Sequence, residues 1–476
     1  MSLTTEQKNI LVLFNLEEEN VESTSFRSEN DQVFVAVTLC NTHPPCPACG
    51  CEHTHVKGYV LKVINHSLLQ DRKTLIEYHA RRYQCPVCHR TYYEHNPFVH
   101  SSMKISALTV RNVLENLKKS TETFASVAQR HYISPTTAAS IFDRHVSMAR
   151  LPLPELMCWD ETYAFHHKGE DSKYVFVILD FITLDPVDIL PSRRKDYLTN
   201  YFSRIPKEER DKVKMIATDM YDEYRRVIRD MFPDCLHCVD HYHVIQDLNR
   251  KVDRIRVRVM KSVPKYITDT RQMTNEYYLL KKFNWLIYKR PDTTETCKDE
   301  YGAKVKKALF DPGRERKYNR KLERMLNYYD IRELLRGIHP DLKNAWLLKD
   351  EVIDFYTDNT HDTAPDALKA LIRKFNESDI KEMNEFAGLL RRWSDEIINS
   401  FIVVDHQYSV DKETGHVAVS DRHLNTGLLE NRNSIIKCIK KNANGYQNWE
   451  RFRNRCLYVL RKDAVPSLNP IEKKRK

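Results

Sequence analysis

The chain has 476 residues, 41% hydrophobic and 30% charged, which is enough apolar material for a large core divided among several domains. Its 76 Lys and Arg outweigh 66 Asp and Glu for a net charge of +10, a balance that favours a polyanionic partner without demanding one. No signal peptide or long apolar span is expected, since LVLFNL at Leu11 is short and followed by acids; the chain reads as cytosolic with no membrane partner, and its twelve cysteines are expected to stay reduced.

The first pattern along the chain is Cys46-x-x-Cys49 and Cys85-x-x-Cys88, with 35 residues between the pairs. Each pair encloses a proline (CPAC, CPVC), which tightens a turn so that both thiolates face one ion. Four thiolates suit tetrahedral Zn2+, and strand-like segments in the spacer can bring the two knuckles together. Cys51, His53 and His55 are alternative donors for one position, and Cys40 lies outside the pattern.

A helical stretch follows. Val110, Val113, Leu114 and Leu117 recur at helical spacing, as do Phe124, Val127 and Ala128 after them. Ser134 and Pro135 suit the N-cap and first position of a third helix whose Ala138, Ile141 and Phe142 face inward. Three helices with a tight connection before the last suggest a helix-turn-helix, with Thr136, Thr137, Ser140 and Arg144 turned toward DNA. A plain three-helix packing unit is the other reading.

Asp160 sits near the end of a short apolar run beginning at Leu156, and Asp219 closes another, KVKMIATDM. YVFVILDFITL and VDILPS lie between them, separated by the turn pair Asp185-Pro186, so the order is strand, strand, strand, helix, strand. A helix with Tyr221, Tyr224, Ile228 and Met231 at helical spacing then runs to Pro233, and CLHCVD reads as one more strand. Farther on, Glu430, Asn433 and Lys437 share one face of a helix whose other side carries Leu429, Ile435, Ile436 and Ile439, with Gly445 as its stop. Two strand-borne aspartates and a helix-borne glutamate can hold two divalent cations in one pocket, as phosphodiester cleavage requires, because hard cations take oxygen ligands. Glu161, Asp180, Asp222 and Glu223 compete for the same role on spacing alone. Cys235-x-x-Cys238 is a weaker cysteine pair whose strand context favours buried thiols.

The 211 positions from Asp219 to Glu430 must contain an insertion, read as mostly helical from Val244 to about Phe401. Its aromatics pack those helices, with a minority able to stack on unpaired bases. The alternation from Ile255 to Val259 leaves helix or strand open there. Basic clusters at Arg193–Lys195, from Arg250, from Arg314 and in the terminal KKRK flank the acids in sequence, which favours a DNA track over simple solvated faces.

Three of these blocks together resemble the DDE transposases of the ISL-three family of bacterial insertion sequences. WDETYAF with the following YVFVILDF is similar to the first-aspartate block, and IATDMYDEYRRVIRDMFPDCLHCVDHYHVIQDLNR to the second. GLLENRNSIIKCIKKNANGYQNWERFRNRC is similar to the glutamate block, and CPACG with CPVCHRTYYE resembles the family's N-terminal zinc-binding domain. The likeness runs from about the first cysteine pair to near the C-terminus. It implies a ribonuclease-H-like catalytic domain with Asp160, Asp219 and Glu430 as ligands of Mg2+ or Mn2+. Asp240 and His243, a D-x-x-H pair, would support the metals or the scissile strand, unless His243 simply caps or packs the next helix. Asn433 and Lys437 match supporting positions of the glutamate block, whereas Ser434 stands where many members carry a second asparagine.

The expected architecture is therefore multidomain, α+β/α/β. It comprises a zinc-binding module (1–100), a helix-turn-helix domain (101–150), a ribonuclease-H-like domain (151–245 and 402–465) with a large helical insertion (246–401), and a basic tail (466–476). The expected function is that of an insertion-sequence transposase, which binds terminal inverted repeats in double-stranded DNA, cleaves by two-metal hydrolysis and joins 3′-OH ends to target DNA. It would act as a homodimer or higher oligomer in the bacterial cytoplasm, on the nucleoid. The rivals are a catalytically silent, domesticated DNA-binding regulator and a structure-selective nuclease of the same fold.

Overall fold

The computed structural model describes residues 17–67, 72–99, 104–165, 173–298, 304–410 and 417–467, with positions 4, 11, 302 and 469 besides. The terminal KKRK and most of LVLFNL lie outside the described residues. No helix among the described residues is long and apolar enough to cross a membrane.

The N-terminal strands are β1 (Val21–Glu29), β2 (Gln32–Leu39), β3 (His55–Asn65), β4 (Lys73–Gln84) and β5 (Thr91–Tyr93). They form one sheet in the order β1-β2-β4-β3, with β5 added to β4. Strict alternation builds it: Val33, Val35 and Val37 on β2 and Ile76, Tyr78 and Ala80 on β4 are buried, while the residues between them stay partly exposed. Antiparallel pairing of β3 with β4 sets His55 opposite Gln84, which returns the end of the 35-residue spacer to its beginning.

Three helices follow: α1 (Ala107–Leu117), α2 (Phe124–Arg130) and α3 (Pro135–His145). Ser106, Thr123 and Ser134 cap them, each accepting from the backbone N–H three residues on, and Pro135 opens α3 as expected. The short turn before α3 is completed by Tyr132 in the left-handed region, at φ 52°.

The central sheet comprises β6 (Leu156–Tyr163), β7 (Tyr174–Asp180), β8 (Pro186–Leu190), β9 (Met215–Thr218) and β10 (Leu236–Val239). Helices α4 (Lys195–Ser203), α5 (Lys207–Arg210) and α6 (Asp222–Met231) connect its later strands. Its order is β10-β9-β6-β7-β8, an antiparallel meander β6-β7-β8 extended by β9 and β10 running parallel to β6. Because both faces are covered, the central strands read as nearly continuous apolar runs.

Between β10 and the last helices the chain builds the insertion: α7 (His241–Ser262), α8 (Asn275–Lys282), α9 (Tyr328–Gly337), α10 (Pro340–Asp358), α11 (Ala364–Asn376), α12 (Lys381–Arg392) and α13 (Ser394–Asn399). Ile255 and Val259 lie inside α7, so the open choice there resolves as helix. The stretch is mostly helical as expected, with two hairpins between the helices that the sequence did not mark, β11–β12 (Thr294–Lys298 with Lys304–Ala308) and β13–β14 (Lys317–Asn319 with Arg324–Leu326). A separate ribbon, β15 (Val403–Val410) with β16 (Val417–His423), precedes α14 (Gly427–Asn442) and α15 (Trp449–Leu460) and stays off the central sheet.

Helices α4 and α6 pack on one face of the central sheet through Trp159, Phe176, Ile178, Phe202 and Tyr224. On the other face α14 and α15 pack through Cys158, Val175, Val177, Ile436 and Phe452. Helix α15 also holds the three-helix unit. Tyr458 joins its core, buried Arg455 donates to the carbonyls of Lys119 and Glu122 at 2.9 Å each, and Arg451 forks onto Asp143.

Candidate active site

Side-chain parity decides what faces what on β6. Met157 and Trp159 enter the core under α4 and α6, whereas Cys158 enters the core under α14. Asp160 therefore shares the α14 face with Cys158, and Glu161 points to the opposite one. Asp160 Oδ1 accepts from the Glu161 N–H at 2.7 Å, and Oδ2 accepts from Asn433 Nδ2 on α14 at 2.7 Å. Glu161 instead accepts from Arg193 and from the hydroxyl of Tyr224 on α6.

On the neighbouring strand, β9 pairs in parallel with β6, so that Cys158 lies opposite Ala217. Asp219, two residues beyond Ala217, shares its parity and comes close enough to Asp160 for their charges to interact. Burial pushes Asp160 up to about 7, with the charge of Glu161 adding to it and Asn433 and Lys437 opposing. Burial likewise pushes Asp219 up to about 7, with Glu161 and Asp160 adding to it and Arg193 opposing. Two polar oxygens here are buried without a hydrogen-bond partner, Oδ1 of Asp219 and Oδ1 of Asn433. Orphaned acceptors beside crowded carboxylates are costly when empty and match what a hard cation takes.

Glu430 lies on α14, one turn before Asn433, about 4.5 Å along the axis at the usual helical rise. It is exposed, and Lys437 on the same face is exposed with its charge felt at Asp160. Within the polar stripe, Asn433 is buried, at 5% exposure, against Asp160. The three acids do not form a closed cage. Among the described residues, only Cys46, Cys49, Cys85 and Cys88 bring three or more ligand atoms all within 4.8 Å of one another.

Asp240 is buried and fully engaged. Its Oδ1 caps α7 by accepting from the Tyr242 N–H at 2.8 Å, and its Oδ2 accepts from the N–H and hydroxyl of Thr426 at 2.8 and 2.7 Å. Thr426 immediately precedes α14, so Asp240 ties the end of β10 to the start of the helix carrying Glu430, across the whole insertion. His243 is partly buried and pushed down by burial, while the charges of Asp240 and Glu161 draw it up. The cap on α7 thus comes from the aspartate of the pair.

The competing acids have other duties. Asp180 accepts from the N–H groups of Ile182 and Thr183 in the β7–β8 turn, and Asp222 and Glu223 occupy the first turn of α6. Sequence reasoning passed over Thr426, and it placed Arg193 only in a basic cluster and Tyr224 only on a helix face. The threonine before a helix start was a usable signal for the first; the other two act through long-range contacts that no local pattern marks.

At the N-terminal site, Cys46 Sγ lies 3.6 Å from Cys88 Sγ, and Cys49 Sγ lies 3.5 Å from Cys85 Sγ. A tetrahedral Zn2+ with bonds of about 2.3 Å needs sulfur–sulfur edges of about 3.8 Å, so the set fits. The two knuckles repeat one geometry. Gly50 N–H donates to Cys46 O, His89 N–H donates to Cys85 O, and both residues are left-handed, at φ 72° and 58°. Backbone N–H groups of Cys88 and Val87 draw the Cys85 thiol down to about 6, the thiolate form a metal uses. Cys51 instead donates to His53 O, and Cys238 is buried against Leu424 O.

Comparison with known proteins places the chain among transposases. The family model for DDE transposases of the ISL3 type, described as transposase, matches residues 157–410, just over half of the chain; it spans Asp160 and Asp219 and ends before Glu430. A second model, the zinc-finger of transposase IS204/IS1001/IS1096/IS1165, matches residues 42–88 and includes all four clustered cysteines. The chain belongs to the ISL3 transposase family and carries its zinc ribbon. It is similar to the transposase for insertion sequence element IS1001 of Bordetella parapertussis, at 24% identity over 287 residues, 60% of this chain. That alignment spans 56% of the relative's length.

Proposed function

We propose that this chain is an insertion-sequence transposase that binds the terminal inverted repeats of its element, cleaves phosphodiester bonds there and joins the 3′-OH ends to target DNA. The observation that carries the reading is the pair Asp160 and Asp219, crowded on one face of adjacent parallel strands beneath the helix that bears Glu430. A ribonuclease-H-like core for residues 151–245 and 402–465 is supported by the meander β6-β7-β8 extended by two parallel strands on the β6 side.

Asp160, Asp219 and Glu430 would hold Mg2+ or Mn2+, which when bound polarises the scissile phosphate and lowers the pKa of attacking water. Asn433 orients Asp160, Lys437 offers positive charge beside the anionic backbone, and Asp240 with His243 supports the wall of the site. Residues 1–100 would form the zinc-binding module and 101–150 a helix-turn-helix. Thr136, Thr137, Ser140 and Arg144 would approach DNA along α3, with the hydroxyls of Thr136 and Thr137 hydrogen-bonded to that of Ser134 at 2.8 and 2.7 Å. Residues 246–401 would be the insertion and 466–476 a tail. Because two ends must be joined, a homodimer or higher oligomer on DNA is part of the proposal.

The test is a supercoiled plasmid carrying the element ends, incubated with and without magnesium. The wild-type protein should nick or cut at the ends only with the cation, and Asp160→Asn should bind the ends without cutting. Cleavage by Asp160→Asn at the wild-type rate refutes the assignment.

A further inference from the structure

The insertion is electrically split. Residues 302–326, which contain β12 and the β13–β14 hairpin, carry nine Lys and Arg against three Asp and Glu, a net of +6 out of the whole chain's +10. Residues 340–399, which form α10 to α13, carry eight bases against thirteen acids, a net of −5. Simple solubility does not require such a division, since intermixed charges of both signs serve it better.

The basic half has the form of a docking surface. Lys304, Lys306 and Lys307 on β12, and Lys317, Arg320 and Arg324 on the second hairpin, are all exposed. None of the six has an ion-pair partner among the described residues. By contrast, Arg314 and Arg316 in the same stretch are tied to Glu295 and Asp330. Both hairpins border one groove of about 790 Å³, whose lining includes Lys307 from one and Lys317 from the other, together with Glu295, Asp311 and Glu315. Tyr318 and Met325 pair across β13 and β14 and are 61% and 55% exposed, so an amphipathic rib stands beside the charges. Unpaired lysines on a groove act as point charges for phosphate, whereas Asp341, Glu382, Glu385, Asp350 and Glu396 of the acidic helices are already ion-paired to Arg258, Arg254, Arg336 and Arg225 from outside that segment.

We propose that the hairpins β11–β12 and β13–β14 form a duplex-DNA docking surface that grips the phosphate backbone without reading bases, separate from the three-helix unit and from the carboxylates. The proposal rests on the reading of the chain as a transposase and assigns its insertion a substrate contact.

The experiment uses the full-length protein and a random-sequence duplex, with affinity measured by fluorescence anisotropy from about 50 to 200 mM salt. The triple variants K304Q/K306Q/K307Q and K317Q/R320Q/R324Q should each lower the slope of log K against log salt by about 2 to 3, at about 0.9 per phosphate contact. The control K343Q/K381Q/R391Q, on exposed bases of the acidic helices, should leave the slope unchanged. Thermal melts like that of the wild type confirm folding, and because the hairpins are tested separately, one unfolded variant still leaves the other decisive. An unchanged slope in both hairpin variants overturns the proposal while leaving the transposase reading intact. An equal fall in the control overturns it too, as does competition by polyglutamate matching that of duplex at equal charge, which would mark the patch as a site for acidic protein. Failure of the wild type to bind any duplex sinks the transposase reading itself.

Discussion

The zinc ribbon and the proposed carboxylate site both gather side chains able to bind metal from distant positions, yet they are assembled to different degrees. The four sulfurs already stand within 4.8 Å of one another, held by two short turns and one antiparallel strand pair. The carboxylates are left open: Asp160 and Asp219 are crowded and partly buried, while Glu430 sits exposed one turn from the contact between Asn433 and Asp160. A site that serves stability has its ligands closed around the ion, whereas a catalytic one must leave positions for substrate and water. The contrast teaches that an open carboxylate set is the form the proposed DNA cleavage would need.

The sharpest way to break this comparison is Asp219→Asn, which removes half of the preassembled pair. Cleavage of end-bearing plasmid should fall to background while gel-shift binding of the ends persists; residual cleavage would move the chemistry elsewhere. Next comes Cys85→Ser, or zinc removal by a chelator. Structural zinc supplies about 10–16 kcal/mol in small zinc modules, so residues 42–88 should unfold, as read by zinc release and backbone circular dichroism. The central sheet should keep its own melting transition; loss of both together would show that the two sites are one cooperative unit.

Asn433→Ala removes the amide that orients Asp160 and should cost about 10–100-fold in cleavage or magnesium affinity. Thr426→Val takes one donor from buried Asp240 and should cost about 1–3 kcal/mol of stability, read by denaturant titration. If its turnover falls while its melting point holds, the clamp positions Glu430 and does more than secure the fold.

The smallest effect concerns pH. Asp160 and Asp219 are both pushed up to about 7, against an unfolded value of about 4. The folded pair therefore binds protons more tightly than the unfolded one. In metal-free protein its contribution to stability is present at low pH and is lost as pH rises through about 7. Protons and cations compete for the same oxygens, so the rise in melting temperature on adding magnesium should be full above pH 7 and fade below it. A rise that ignores pH would place the cation away from this pair.

Much of the zinc ribbon was legible from local spacing, because a CxxC turn is closed by its own backbone and needs only one strand pairing to meet its partner. The caps at Ser134 and Pro135 were legible for the same reason. The hairpins of the insertion were not, since KVKKA and KYN have neither the alternation nor the apolar content that marks a strand. The burial of Asn433 was equally hidden, because helix periodicity separates polar from apolar faces but does not say that a polar face will meet another acid.

By itself the sequence determined which residues could be ligands, the pairing of cysteines into knuckles, and the amphipathic order of the elements. These follow from chemistry within a few residues of chain. Only the tertiary structure decided that Asp160 and not Glu161 faces α14, that Asp219 stands beside it, and that Asp240 locks Thr426 across the insertion. Such choices depend on strand parity and helix packing, and a shift of one residue in register would send every one of these side chains to the opposite face.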